Sequence, residues 1–585
     1  MPPLPKTDVV IVGYGAAAGP IALELTQAGY SVVVLERGAH LTTERDFATG
    51  SFDTLRWAVR KELVPDAQSM PLTFRNRVDQ VAIEAPYHMA SAVGGSSVHW
   101  SGQSWRYYED DFRIKSTIAE KYGKSALIDY LAADGAALAD WPISYDELEP
   151  FYDKAEYFIG IGGWPGNIAG AIRPARSDEG NPFEAPRRRD YPFRPLRDNA
   201  TDITFRQGAL EQGLKPFHVP TAITTENWTS PYGIARKACT YCAFCEGYGC
   251  WNGAKSSSLT ALLPATTPLH NFTLRSRAHV LRINHRDGRA VSVSYVDGQG
   301  REQEQPAEIV ILAAYSFQNV RLLLHSGIAG SGQVGKYFIN RQAFHISAVF
   351  DDRYLNGYNG PSVQRQAVDD FNGENNAAAK LRLGKDEFFI RGAAICSAAQ
   401  RLPLETYNDV PPDVPRWGAA YKAYLSTYLN RFMRVLMVPE PLPYEDCFID
   451  LDPHHRDKYG VPAARVTRAV KTNELRMGHY LYDRMAEIYR AAGAAKTWGR
   501  RDAIAVASMV HDCGGLRMGA DPTNSATNRY GQLWAMPNLF VTGGALFPSM
   551  SGHNPTQTIW ALSYWQSAAI LQKKIDLGDA QRMTR

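Results

Sequence analysis

Apolar residues recur along this chain with two different periods. Asp8-Val-Val-Ile-Val-Gly13 and Ser31-Val-Val-Val-Leu35 are short β-branched runs without alternation, the pattern of parallel strands buried on both faces. Between them, Ile21 to Ala28 carries apolar residues at helical spacing and stops before Gly29. The strand-then-helix pattern returns later. Ala313-Ala-Tyr-Ser-Phe-Gln-Asn319 reads as a strand end leading into a helix through Leu322 to Ile328, and Asn538 to Ala545 reads as a strand entering a glycine-rich turn before a last helix that reaches Leu571. The middle differs. From Phe344 to Phe389, segments such as Ala343-Phe-His-Ile-Ser-Ala-Val-Phe350 predict an antiparallel sheet, and Asn473 to Ala492 predicts an outer helix. Tyr354, Tyr358 and Trp417 fall in this region and are expected to pack in its core. No internal repeat is evident. The pattern predicts an α/β chain, α+β overall: a Rossmann-like domain built from discontinuous segments, plus an antiparallel-sheet domain with helices.

The first βαβ unit carries GxGxxA at its turn. Gly13 permits the tight turn, Gly15 leaves room for a pyrophosphate beside the helix N-terminus, and Ala18 lets helix and sheet pack closely. Glu36, at the end of the second strand, is placed to accept from ribose hydroxyls. With strand, helix, second strand and acid in order, a dinucleotide site is the expectation.

Further segments carry a resemblance. Val93-Gly94-Gly95-Ser96-Ser-Val-His99-Trp100 is a glycine-rich turn ending in a His-Trp pair, and Phe547-Pro-Ser-Met-Ser-Gly-His-Asn-Pro-Thr-Gln-Thr558 opens the last helix. With the Ala313 and Asn538 segments, they resemble the glucose–methanol–choline (GMC) oxidoreductases. The likeness is loose from about Gly335 to Arg501. Within the family, His99 to Gln103, Ile143 to Tyr152, the cysteine segment 239–250 and Asp521 to Tyr530 look most like the flavoprotein large subunits of bacterial gluconate 2-dehydrogenase, sorbitol dehydrogenase and fructose dehydrogenase. The resemblance implies FAD, to which Glu36-Arg37-Gly38 also leans. Its contacts would fall on Gly13, Gly15, Ala16, Ala17, Ala18, Glu36 and Arg37. Others would come from Gly94, Gly95, Ser96, His99, Trp100, Val280, Ala313, Gly544, Ala545, Asn554, Pro555 and Thr556. The implied organisation is an FAD-binding domain from 1–160, 236–340 and 505–585, the second segment including the cysteines, with a substrate-side excursion at 161–235 and a substrate domain at 341–504.

Oxidising an alcohol requires a base for the hydroxyl proton and a donor beside the developing alkoxide. By resemblance His511, in His-Asp-Cys-Gly-Gly, is the base and Asn554, before Pro-Thr, is the second catalytic residue. Asn554 also suits helix capping. His553, its neighbour, would lie on the substrate side or behind the pair. His99 either joins the flavin covalently or packs beside Trp100.

Cys239, Cys242, Cys245 and Cys250 form C-x2-C-x2-C-x4-C. One continuous run favours an iron–sulfur cluster over unligated thiols or zinc, whose ligands usually come in two separated pairs. The resemblance points to a [3Fe–4S] centre, with one cysteine spare. Such a relay takes electrons singly, which favours a dehydrogenase passing them to a cytochrome or quinone, with a small subunit and a cytochrome c subunit as partners. An oxygen-using carbohydrate oxidase and a non-redox flavoprotein are the alternatives.

Composition narrows the setting. The chain has 585 residues and a net charge of +3, without a basic run long enough for nucleic acid. Arg187-Arg-Arg189 is expected on a solvated face, within a surface excursion from Pro174 to Arg197. Apolar stretches break well before the roughly 18 to 20 residues of a membrane span. Met1-Pro-Pro-Leu-Pro-Lys-Thr lacks the features of a signal peptide. The expectation is a cytoplasmic protein, or one at the periplasmic face of the inner membrane if a signal-bearing partner subunit exports it.

Overall fold

The computed structural model of the protein describes residues 4–47, 55–66, 68–86, 88–124, 130–168, 170–172, 180–341, 344–363, 365–375, 387–397, 406–407, 409–501, 511–575 and 577.

Thr7–Val12 (β1), Ala18–Gln27 (α1) and Val32–Leu35 (β2) form the first βαβ unit. The helix starts three residues before the apolar spacing does, because the Ala-rich turn itself winds into its first turn. Phe272–Arg275 (β3) pairs with β2, and Glu302–Leu312 (β4) pairs with the other side of β1. All are parallel, and Val9, Val10, Ile11 and Val34 are fully buried between the covering layers, which accounts for their unbroken apolar run. The first half of β4 instead closes an antiparallel meander with His279–Arg286 and Arg289–Val296. Ser316–His325 (α2) follows β4.

The chain then leaves for a second sheet: Phe344–Val349 (β5), Gln366–Val368 (β6), Ala393–Ser397 (β7), Phe432–Pro439 (β8) and Lys496–Gly499 (β9). Its order is β9-β5-β8-β7-β6, antiparallel throughout, with Phe217–His218 on the far edge. Met433, Val435 and Met437 alternate inward along β8. They meet Thr472–Ala491 (α3), whose Met477, Leu481, Met485 and Ile488 make one buried stripe at helical spacing. Leu539–Val541 (β10) returns to the first sheet beside β4, and Thr556–Leu571 (α4) ends the fold. The mixed α/β architecture expected from the sequence is therefore present, with its parallel sheet assembled from three separated stretches of chain.

Two expectations about side chains are corrected. Trp417 and Tyr354 are 82% and 64% exposed rather than in the core; the cation of Arg431 covers the Tyr354 ring instead. Arg187 is 1% exposed rather than solvated. It shares the carboxylate of Glu156 with Arg106 and lies over the Tyr191 ring, and the charge of Glu156 offsets its desolvation. Its neighbours do face solvent: Arg188 pairs with Glu149 and Arg189 with Asp153. Of the excursion from 174 to 197, positions 174–179 lie outside the described residues. Among the described residues no helix is long and apolar enough to cross a membrane.

Candidate active site

A cavity of about 570 Å³ opens at the carboxyl ends of β1, β2 and β4, where ligands of open α/β sheets bind. Two uncapped helices begin on its wall. Gly15, Ala16 and Ala17 line it ahead of α1, and Asn554, Pro555 and Thr556 line it at the start of α4. Among the described residues no side chain caps either helix, so their first N–H groups are available to an anion.

The glycines of the first turn differ in what they do. Gly13 has φ +93°, and a Cβ there would stand 2.8 Å from the carbonyl oxygen of Ala313. At Gly15 a Cβ would meet nothing within 4 Å among the described residues, because it would project into open space. That space is the cradle a pyrophosphate needs, so these residues fit a dinucleotide. Glu36 is buried on the wall, and its two carboxylate oxygens accept from the Tyr14 and Gly38 amides at 2.8 and 2.6 Å. A carboxylate has about four lone-pair sites, which leaves capacity for a ribose.

The expected cofactor residues all line the cavity except three. Ala18 is buried within α1, Ala545 is buried behind the wall, and the Gly94 amide donates to the Tyr14 carbonyl at 2.9 Å. Lys61, Leu63, His88, Met89, His279 and Tyr315 also line it and were missed. Lys61, Leu63, His88 and Met89 lie on segments without a motif and arrive there only through tertiary folding, whereas His279 and Tyr315 stand within two residues of the expected Val280 and Ala313.

His511 and Asn554 come together on this wall although 43 positions separate them: Asn554 Nδ2 donates to His511 Nε2 at 3.3 Å. The Asn554 side chain therefore turns to the imidazole rather than capping α4. His511 has φ +55°, a conformation uncommon for residues other than glycine. The next residue secures it. Asp512 accepts from Tyr315 Oη at 3.0 Å and Asn340 Nδ2 at 2.6 Å, and its carbonyl accepts from Ser316 Oγ at 2.7 Å. Burial pushes the Asp512 carboxyl up to about 7. Burial, helped by the charge of Arg341, takes His511 down to about 3, so its imidazole is neutral and able to accept a proton. His511 Nδ1 and Asn554 Oδ1 have no partner among the described residues.

His553 points elsewhere. Its Nδ1 faces the Arg106 carbonyl at 3.0 Å and its Nε2 the Asp369 carboxylate at 2.8 Å, and its ring stacks on Trp105 at 4.6 Å. Both nitrogens meet acceptors. Burial opposes the charge, yet Asp369 outweighs it and raises the pKa. His553 is thus a buried imidazole held by Arg106 and Asp369, and it does not line the cavity.

His99 lines the cavity, and its Nε2 is buried without a partner among the described residues. Burial and then Lys255 lower it to about 3. Trp100 beside it donates to the Ser256 carbonyl at 2.9 Å.

The four cysteines occupy one loop that reaches the cavity at Glu246 and Gly247. Burial, together with the other thiols nearby, raises Cys239, Cys242 and Cys245. Lys255 beneath them donates to the carbonyls of Trp100, Cys245 and Tyr248. Among the described residues, no three His, Cys, Asp or Glu side chains form a group that could hold a metal ion.

Cavity, parallel sheet and neutral imidazole define a dinucleotide-binding oxidoreductase. The chain belongs to the GMC oxidoreductases: family models described as GMC oxidoreductase match residues 142–342 and 443–563, and one described as FAD binding domain matches residues 8–100. It is 35% identical to the gluconate 2-dehydrogenase flavoprotein of Pantoea cypripedii over 97% of this chain and 94% of that protein. It is 28% identical to the 2-methyl-1,2-propanediol dehydrogenase of Mycolicibacterium austroafricanum over 99% and 97% of the two chains. Pyridoxine 4-oxidase from Mesorbium loti shares the fold, with a TM-score of 0.59 at 14% identity over 96% of this chain and 99% of that one. The protein is an FAD-dependent oxidoreductase acting on alcohol groups.

Proposed function

We propose that this protein is a dehydrogenase for an alcohol group of a sugar, polyol or sugar acid, with His511 as base and Asn554 as donor to the substrate oxygen. The observation that carries this is the 3.3 Å approach of His511 Nε2 and Asn554 Nδ2 on the cavity wall. Bound FAD supplies the acceptor for the hydride leaving the alcohol carbon. The protein does the rest. Gly15, Ala16, Glu36, Gly95 and Thr556 hold the cofactor. A substrate oxygen takes the place of the direct His–Asn contact. Its proton passes to Nε2, which burial keeps unprotonated, while the Asn554 amide donates to the same oxygen.

His99 Nε2, orphaned on the cavity wall, is the candidate for covalent attachment of the flavin; yellow colour retained after acid precipitation would support the link. A 24% identical relative over 97% of this chain, named as the large subunit of the fructose dehydrogenase of Gluconobacter japonicus, supports the reading of further subunits, which we take to be a small subunit and a cytochrome c. The iron–sulfur reading, [3Fe–4S] in kind, rests on the cysteine spacing alone. Iron and acid-labile sulfide analysis of protein made under low oxygen decides it.

Anaerobic stopped-flow measurement tests the core of the proposal. His511→Ala is expected to slow flavin reduction at least about a hundredfold with FAD still bound. Unchanged reduction would overturn the assignment of the base. Turnover with an artificial one-electron acceptor supports the dehydrogenase; rapid peroxide production would make it an oxidase. Failure of every alcohol to bleach the flavin would make it a non-redox flavoprotein.

A further inference from the structure

The Asn554 carboxamide has little of its own to hold it in place. Among the described residues its Oδ1 has no partner, and the hydrogen bond from Nδ2 goes to His511, the imidazole it is proposed to assist. Its position is therefore set by the backbone that carries it. On one side stands Pro555, whose ring disfavours helical conformations at Asn554. The other side is pinned by three contacts. Arg341 Nη2 donates to the carbonyls of Ser551 and His553, the latter at 2.9 Å. Gly552 lies so close to the turn after β6 that an added Cβ would stand 1.7 Å from Asn372 Oδ1. The His553 ring makes the third contact.

That ring is buried, stacked on Trp105 and met edgewise by Tyr108 at 4.9 Å between centroids. Its two nitrogens are engaged on opposite sides, Nδ1 by the Arg106 carbonyl and Nε2 by Asp369, so it cannot turn without losing a hydrogen bond. Asp369 follows β6 directly and is fully buried. Its Oδ2 also accepts from Tyr108 Oη and Asn181 Nδ2, and its Oδ1 accepts from Asn372 Nδ2 at 3.3 Å. Four donors thus converge on one carboxyl group. An asparagine there would set its own NH2 against one of them, because an amide has only one accepting oxygen. Asp369 belongs to the second sheet, and 184 positions separate it from His553. The hydrogen bond between them ties that sheet to the loop that presents Asn554.

We infer that His553 and Asp369 are a positioning pair, through which the second sheet fixes where the Asn554 carboxamide meets His511. This role rests on the one proposed for Asn554 and deepens it. Neither side chain lines the cavity, so neither touches the reacting atoms. The pair acts through Asn554. A group that donates to a developing alkoxide must be held within roughly 0.5 Å of its productive place. Loosening the loop therefore costs rate in the step where that charge develops, more than it costs binding of the alcohol.

Two measurements on the FAD-bound enzyme test this. In crystals, the wild type should keep Asn554 Nδ2 within hydrogen-bond reach of His511 Nε2, and Asp369→Asn should not. In anaerobic stopped-flow with D-gluconate and with D-sorbitol, Asp369→Asn should lower the limiting rate of flavin reduction at least about tenfold with FAD content unchanged. The alcohol concentration giving half that rate should move less than about threefold. Made in an Asn554→Ala background, the same substitution should slow reduction by less than about twofold, since the group it positions is gone. A merely structural defect would cost as much in either background. A carboxamide left in place in the Asp369→Asn crystal, or an equal loss of rate with and without Asn554, would overturn the inference. If Asp369→Asn does not fold, His553→Gln carries the same comparison. If Asn554→Ala reduces flavin as fast as the wild type, the proposed role of Asn554 fails, while the crystals still decide whether the pair positions it.

Discussion

At the level of single residues, the site depends on burial more than on charge pairing. Burial, and after it the cation of Arg341, lowers His511 from the usual 6.5 to about 3. A depressed folded-state pKa has one sign for stability: the unfolded chain takes up the proton near 6.5 and the folded chain resists it until about 3. The contribution of this residue to stability is therefore complete above about pH 6.5 and is lost as pH falls toward 3. The acid stability profile of the wild type should accordingly fall more steeply in that window than that of His511→Gln, by chemical denaturation. For the proposed catalytic role the same shift keeps His511 unprotonated through the mildly acidic range. Single-turnover flavin reduction should show no acid limb near 6.5, and a limb centred there would contradict the burial argument. Sequence could name His511 and Asn554 because they stand in short local motifs. It could not find Arg341, Asp369 or Asp512's partners, whose roles come from contacts between segments more than a hundred positions apart. It also misjudged Arg187, since three consecutive arginines give no sign that one of them turns inward to Glu156.

At the level of elements, the turn between β1 and α1 separates folding from binding. Gly13 is required by the backbone, as its φ is +93° and its added Cβ would press on the carbonyl of Ala313, the residue after β4. Gly13→Ala should destabilise the protein by about 1–3 kcal/mol, read as a lower Tm with and without FAD. Gly15 faces open cavity, so Gly15→Val should leave the Tm of the FAD-free protein nearly unchanged while abolishing stoichiometric FAD binding, read by absorbance after gel filtration. Equal loss of stability in both variants would remove the distinction. This βαβ unit was legible because three signals coincide within thirty residues: β-branched strands, helical spacing and glycines at a tight turn. The second sheet was legible in kind, since apolar-rich segments such as Ala343 to Phe350 mark antiparallel strands. Its strand order was not, because β9 joins β5 from nearly 150 positions away.

At the level of the whole molecule, the cavity is where distant stretches of chain meet. Its walls come from residues 12–37, 57–64, 88–101, 246–247, 278–280, 313–322, 511–513 and 542–559, with Ser362, and its parallel sheet takes strands from both ends of the sequence. None of these stretches surrounds the cofactor alone. FAD bound in this cavity would therefore fasten the first βαβ unit to the β10–α4 return. A ligand that binds only the folded state stabilises it by RT ln(1 + [L]/Kd), about 4 kcal/mol at a thousandfold excess over Kd. Titrating FAD into the FAD-free protein should raise Tm steadily with log[FAD], and Gly15→Val should not respond. A chain ending before Leu539 should bind no FAD at all, since it lacks β10, the His511-facing Asn554 and the N-terminus of α4. Retention of FAD by that truncated chain would mean that the first βαβ unit holds the cofactor by itself and that the convergence of segments serves only to place the catalytic pair.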